Sequence, residues 1–459
     1  MLDLINDSAD AAAFVRTLLK WWFPLLLTPV VLAGYDVARE GRRLWRRAYV
    51  ALLLVIIGGF VALDGSRAAV NIINPPEWDV QAFWISARVA VEGGNFYDPA
   101  DMHRIAAPLQ QAAVPLSARP VFTREILDTG FLYPPPTILV VAPFGALDLQ
   151  PAALVWYLFH FVVLGLCIMM LRRVFFPDGG MLELAVVAAL TLMLNATYTT
   201  FVFGQTTFLV LLCLTIFWGL RDRPVSGVAL AAGFIAKPIF AFFFAYPLLR
   251  RQWRTLAVGV GAVLVALGLT LLVFGPEIFV TYLTSNPVSR APADLYVLNE
   301  NQSLLAAMLR ASGHDFAESS PLLYSRFVVA GSAIVVVTLW LTYRLPQARS
   351  ELALAIAVPA ALLIYPQSLE HYTLLLLVPM LYLWTRHEEL GVSRGAVIGL
   401  LTVQYALIRY DHGYVAVTAN ALMWLVCVAL GLRAAYGFFP WDVFRRALAS
   451  GNVQVSSRA

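Results

Sequence analysis

The chain is 459 residues long, 60% hydrophobic and only 13% charged, with a net charge of +4 and a mean hydropathy of +0.75. Soluble domains carry about 25% charged residues, so a soluble globular protein is excluded and a bilayer must solvate much of the chain. The positive charge is spread as arginines between apolar runs, with no basic stripe, which argues against a nucleic-acid partner.

The first ten residues are acidic and lack the basic region of a cleaved signal peptide, so the first apolar run is read as a retained helix. Apolar runs long enough to span, or to span with help from neighbours, lie at 17–34, 48–63, 152–171, 184–200, 205–220, 227–249, 256–274, 327–343, 352–365, 372–384, 395–408 and 415–432. Arg39, Arg42, Arg43, Arg46 and Arg47 crowd the first connection and place it in the cytoplasm. The net acidic loop 64–133 is then extracytoplasmic. Arg172 and Arg173, Arg221 and Arg223, and Arg250, Arg251 and Arg254 should all be cytoplasmic, yet 227–249 has such arginines at both ends. A break at Lys237-Pro238, with Lys237 near the outer surface, resolves the conflict, because proline interrupts a helix and an intramembrane lysine needs a polar cavity. The alternation then continues to a cytoplasmic tail carrying Arg445 and Arg446.

The expectation is an all-α polytopic membrane protein with about 12 to 13 transmembrane helices, the N-terminus outside and the C-terminus inside. Its units are an N-terminal span and basic segment (1–47), a transmembrane body (48–435) whose first outer loop (64–135) carries amphipathic interfacial helices, and a tail (436–459). The proline-rich stretch 134–149 is too short to cross unaided and reads as re-entrant or as a partial helix. Cys167, Cys213 and Cys427 sit in separate apolar runs with neither metal-ligand spacing nor a disulfide framework.

Polar residues gather at span ends on one side. Pro75-Pro76-Glu77-Trp78-Asp79 leads into a segment at 80–92 with Phe83, Trp84, Ala87 and Val91 near one helical face, and a second follows at 99–113; both read as helices lying in the interface. Asp79 is either an N-cap after the proline pair or a general base at the water–lipid boundary. Leu132-Tyr133-Pro134-Pro135-Pro136 is a rigid aromatic re-entry, and Gln205 with Thr206 and Thr207 opens a span. Lys237, one of two lysines, must meet an anion, either a structural carboxylate or a lipid phosphate. Asn301 and Gln302 belong to a polar knot that is a solvated turn or a set of sugar-binding groups. Glu370-His371 is a titratable pair at a span mouth, and Asp411-His412 is a similar pair with nothing gathered around it. No phosphate-binding glycine loop ending in Gly-Lys-Ser/Thr, no His-Glu-x-x-His and no Gly-x-Ser-x-Gly is present.

Taken in order, Asp79 with Asn95-Phe96-Tyr97-Asp98-Pro99, Tyr133-Pro134-Pro135 with Pro143-Phe144, Gly204-Gln205, 233–238 with Arg250-Arg251-Gln252-Trp253, Asn301-Gln302-Ser303-Leu304 and 368–372 form a familiar set. Over roughly residues 50–410 the chain resembles glycosyltransferase family 87, of the GT-C membrane fold, and is similar to polyprenol-phosphate-mannose-dependent α-1,2-mannosyltransferases. The extra N-terminal span and the insertion at 114–128 depart from that pattern. The resemblance implies a polyprenyl-phosphate sugar donor, a glycolipid or glycan acceptor at the outer face of a bacterial inner membrane, and a hexose, with mannose favoured. It implies Asp79 as the catalytic aspartate and His371 as a functional histidine. Lys237, Arg88, Tyr133, Gln205, Asn301, Gln302 and Glu370 are the expected substrate-binding residues, and neither a cofactor nor a metal is expected. The alternative is a transporter or flippase of lipid-linked sugars, which needs polar groups near the midplane and access from both faces.

Overall fold

The computed structural model describes residues 23–41, 43–111, 122–285, 296–313, 321–408 and 413–437. The chain is all-α as expected: among the described residues there is no strand, only an isolated antiparallel bridge between Asn301 and Leu369. Much of the first expected span, residues 114–121 of the insertion at 114–128, Asp411-His412 and nearly all of the tail lie outside the described residues.

Among the described residues six helices are long and apolar enough to cross a bilayer: Arg43–Ile73, Leu149–Phe175, Trp253–Phe274, Leu323–Arg344, Gln347–Ile364 and Val417–Tyr436. Other expected spans are shorter or broken. The run at 184–200 is not one straight helix. Met181–Met193 and Asn195–Phe203 meet at Leu194 with a bend of 62°. Leu194 is extended there, and the Thr197 hydroxyl donates to the Thr191 carbonyl at 2.5 Å, so a carbonyl at the break keeps a partner.

The break at Lys237-Pro238 is present. Helix Ser226–Ala236 stops at an extended Lys237, a 3₁₀ segment Pro238–Phe244 follows, and Ala245–Leu249 completes the return. Both ends of this hairpin lie at the same end of the bundle, as the arginines require. Asp222, before it, accepts from Gln252, after it, at 3.4 Å, and from Gln347 at 3.0 Å. Gly227 makes the close crossing possible, since a Cβ there would lie 2.3 Å from the Thr255 carbonyl oxygen.

Arginines continue this network across one end of the bundle. Arg221 pairs with Glu351 at 3.1 Å, Arg386 with Glu389 at 2.7 Å, and Arg394 grips both oxygens of Asp36 at 2.6 and 2.9 Å. The last contact ties the first described helix, Phe23–Glu40, to Arg394–Leu407 near the end of the chain. Such pairs contribute little singly, up to about 1 kcal/mol, but they register the helix ends.

At the opposite end the first loop packs against the bundle. The segment expected at 80–92 forms the helix Ala82–Val91, and protein covers most of it. Phe83, Trp84, Ile85, Ser86, Ala87, Val89 and Ala90 are all buried, covering nearly its whole circumference. It packs on Ile138–Gly145, where a Cβ on Gly145 would lie 2.3 Å from the Ala87 carbonyl. The apolar content read as a lipid-facing stripe is spent on this helix pair. The second segment forms Pro99–Gln111. Of the two readings of 134–149, a partial helix is present: a short 3₁₀ turn, Pro135–Thr137, leads into Ile138–Gly145.

Candidate functional site

Helix Arg43–Ile73 ends before the Pro75-Pro76 pair, and Glu77–Gln81 then forms a π-turn, a local irregularity that often marks functional positions. The N-cap of the following helix is Gln81, without a side-chain cap bond, so Asp79 is not an N-cap. Its carboxylate instead accepts a hydrogen bond from Gln205 Nε2.

Gln205 sits in the tight connection between Asn195–Phe203 and Thr207–Leu220. Its amide faces two ways. While Nε2 donates to Asp79, Oε1 accepts from Lys237 Nζ at 2.7 Å. Lys237 also donates to the Tyr133 hydroxyl at 2.5 Å, and its Nζ lies 4.5 Å from the Tyr133 ring centroid and 5.1 Å from that of Tyr372. An ammonium has three N–H donors, and among the described residues the third has no partner. Lys237, buried and cationic, is thus placed by the helix break, by Gln205 and by two aromatic faces rather than by a direct carboxylate.

Burial raises the Asp79 carboxyl above the usual carboxylate range, while the Lys237 charge and the Gln205 hydrogen bond pull it back. The side chain still retains some accessible surface. A carboxylate poised upward by burial and held by an adjacent cation has the character of a proton acceptor.

His371 lies beside this chain, its ring 4.6 Å from that of Tyr372, close enough to Lys237 to feel its charge. It is buried, and among the described residues neither ring nitrogen has a hydrogen-bond partner. Leaving two polar atoms unfilled is costly, which fits a group held ready for a ligand.

The segment 365–371 is fixed from across the outer end. Gln302 N donates to the Ser368 carbonyl at 2.6 Å, Asn301 Nδ2 to Pro366 at 2.8 Å and Ser303 Oγ to Pro366 at 3.1 Å. Asn301 and Gln302, expected to bind substrate, therefore stitch the His371 segment in place through backbone contacts. Glu370 is buried at the head of the 3₁₀ segment Glu370–Leu376, adjacent to His371. The structure does not bring Arg88 to the cluster: its guanidinium pairs with Glu92 at 2.6 Å and with the Gly145 carbonyl at 3.3 Å. The residue one turn from the helix end spends its charge on that end.

Several further residues position the Gln205 turn, and of these only Gly204 stands in the motif set. Gly204 adopts φ +65°, and a Cβ on it would lie 2.3 Å from Val80 Cγ2, the neighbour of Asp79. Trp156 Nε1 donates to the Gly204 carbonyl at 2.8 Å, and a nitrogen of the buried His160 bonds the Gln205 carbonyl at 2.8 Å. Asn71 Nδ2 donates to Phe201 and Val202 carbonyls at 2.8 and 2.9 Å, and to Tyr157 Oη at 2.7 Å. Four buried side chains from two long helices thus hold the Gln205 turn against the Asp79 turn. Tyr372 follows His371 directly and closes the 368–372 motif, though no role of its own is legible there. Among the described residues no group of three His, Cys, Asp or Glu side chains is arranged to hold a metal ion.

The geometry is thus a buried acid–amide–cation relay at one end of a polytopic helical bundle. Comparison with known proteins bears on what it serves. A curated α-(1→3)-arabinofuranosyltransferase from Mycobacterium tuberculosis strain CDC 1551 / Oshkosh is 27% identical over 230 residues, covering 48% of this chain and 50% of that protein; the corresponding protein of strain ATCC 25618 / H37Rv matches equally. The chain spans about half the length of the curated relatives it matches. No solved structure matches. The model of glycosyltransferase family 87 matches residues 131–366, just over half of the chain, a stretch that holds Tyr133, Gln205, Lys237, Asn301 and Gln302. With its all-α membrane architecture and this match, the chain belongs to glycosyltransferase family 87, a family of the membrane GT-C type.

Proposed function

We propose that this protein transfers a glycosyl residue from a polyprenyl-phosphate sugar to a hydroxyl of a glycolipid or glycan at the outer membrane face. The observation that carries this reading is the buried Asp79–Gln205–Lys237 relay with an unfilled His371 beside it. Glycosyl transfer passes through an oxocarbenium-like transition state. The acceptor oxygen bonds to the anomeric carbon as the anomeric C–O bond to phosphate breaks; Asp79 takes the acceptor proton and polyprenyl phosphate departs as the anion. The open N–H of Lys237 and a ring nitrogen of His371 meet that phosphate, in the manner of preorganised donors aimed at developing charge. Direct displacement by one base inverts the anomeric centre.

The sugar is the point on which two supports differ. The resemblance in the motifs favours mannose, whereas the aligned relatives carry an arabinofuranosyltransferase name. The test is transfer in detergent or vesicles from labelled mannosyl- and arabinofuranosyl-phosphate polyprenols supplied separately. Transfer from neither, with a bacterial lipid extract as acceptor, would contradict the reading.

Two further outcomes are expected. Gly204→Ala must force Val80 aside and strain a left-handed turn, so we expect transfer to fall by about 10²-fold, with the protein still inserted in the membrane; wild-type transfer by this variant would show that the Gln205 turn does not position Asp79. For orientation, Arg124, whose side chain is 88% exposed in the first loop, is replaced by cysteine. The three native cysteines are buried and contribute little background. An impermeant thiol reagent added outside intact cells should label Arg124→Cys; labelling only after cytoplasmic access would reverse the orientation.

A further inference from the structure

Away from the relay, at the arginine-rich end, a groove of about 540 Å³ opens between the first turns of Arg394–Leu407 and the last turns of the helix Gly413–Tyr436. Its walls are apolar, with Val397, Leu400, Leu425, Val426 and Ala429 among them, and Ser393 and Arg433 stand at its mouth. From Leu425 to Arg433 it runs about 12 Å along the helix axis. That depth and lining suit a hydrocarbon chain.

Arg433 is the feature that selects the headgroup. It is exposed and touches only backbone carbonyls, Leu390 at 3.5 Å and Gly391 at 3.2 Å. Among the described residues it has no carboxylate partner, although neighbouring arginines at this end do: Arg386 pairs with Glu389, and Arg394 with Asp36. Ser393, also in the groove lining, caps the adjacent helix by accepting from Ala396 N. An unneutralised guanidinium above an apolar slot that opens along a membrane helix is complementary to one ligand: a phosphate carried on an acyl chain.

We propose that this groove is a binding site for an anionic phospholipid, its phosphate on Arg433 and one acyl chain between the two helices. The site is independent of the proposed transfer chemistry and lies at the opposite end of the bundle from Asp79.

The test is lipid binding to detergent-purified full-length protein, followed by native mass spectrometry and thermal unfolding with phosphatidylglycerol or phosphatidylcholine. Phosphatidylglycerol should bind wild type as a discrete adduct and raise its unfolding temperature more than phosphatidylcholine does. Arg433→Gln should weaken phosphatidylglycerol binding about fivefold, the equivalent of the roughly 1 kcal/mol that one arginine contributes near anionic lipid, and weaken phosphatidylcholine binding less, because choline offsets that lipid's phosphate charge. Ala429→Trp should fill the slot and remove the adduct for both lipids, while transfer activity persists in both variants. Equal phosphatidylglycerol affinity in wild type and Arg433→Gln, or an undiminished adduct in Ala429→Trp, would overturn the proposal. A two-protomer mass that Ala429→Trp abolishes would assign the groove to a second copy of the chain and overturn it as well.

Discussion

Replacing Asp79 with asparagine should lower glycosyl transfer by about 10²–10⁴-fold, the range that loss of a general base produces, while leaving the fold intact. Asparagine keeps an oxygen to accept from Gln205 Nε2, so the bridge to Lys237 survives, but it cannot take a proton. Because burial holds the Asp79 carboxyl above the usual carboxylate range, its titration should also be visible in the wild type. The sign follows from its role. A base works deprotonated, so kcat/KM rises with pH through a midpoint above that of an ordinary carboxylate and levels off beyond it. The rising limb should vanish in Asp79→Asn, leaving a flat residual rate. An undiminished rate, or a residual rate with the wild-type pH profile, would remove Asp79 from the chemistry.

Lys237→Met carries the second large effect, about 10²–10³-fold in kcat, comparable to removing one preorganised donor from a developing anion. The methionine fills the volume of a buried side chain without its charge. Two consequences separate a phosphate-binding role from a structural one. The Lys237 charge pulls the Asp79 carboxyl downward, so the rising limb of the pH profile should move to higher pH in the variant. Inorganic phosphate or free polyprenyl phosphate, if it inhibits wild type competitively against donor, should lose that inhibition. A variant with slower turnover but an unmoved pH midpoint and unchanged inhibition would show that Lys237 only holds the helix break together.

Much of the architecture is legible from two physical rules applied to the sequence. Apolar runs must be helices in lipid, and arginines count sides. Together they locate the break at Lys237-Pro238, which the bond between Asp222 and Gln252 bears out. The bend at Leu194 is not legible, because no proline or glycine marks it and its freed carbonyl is satisfied by Thr197, a residue ordinary in any helix. The partner of Ala82–Val91 is not legible for a related reason: an apolar face has the same composition whether it meets lipid or Ile138–Gly145.

The same limit applies to the site. Asp79, Gln205, Lys237 and His371 stand out because polar groups at span ends are costly, and the structure gathers them. Arg88 stood out for its charge, but its partner Glu92 lies on its own helix, one turn on. Asn301 and Gln302 stood out as polar, and their visible work is to pin the backbone ahead of His371. What sequence could not supply is the second layer. Trp156, His160 and Asn71 act through long-range contacts to backbone atoms, with no spacing that sets them apart from ordinary buried residues.

The account rests on bond-making at this relay, as opposed to passage of an intact lipid-linked sugar. The most direct measurement reconstitutes wild type and Asp79→Asn in liposomes containing bacterial lipid acceptor and a polyprenyl-phosphate sugar labelled in the sugar, then follows where the label goes. The account predicts that wild type moves the label covalently onto acceptor with stoichiometric release of polyprenyl phosphate, and that Asp79→Asn does neither. Label that crosses the bilayer still attached to its carrier, at the same rate in both proteins and with no new glycosidic product, would contradict it.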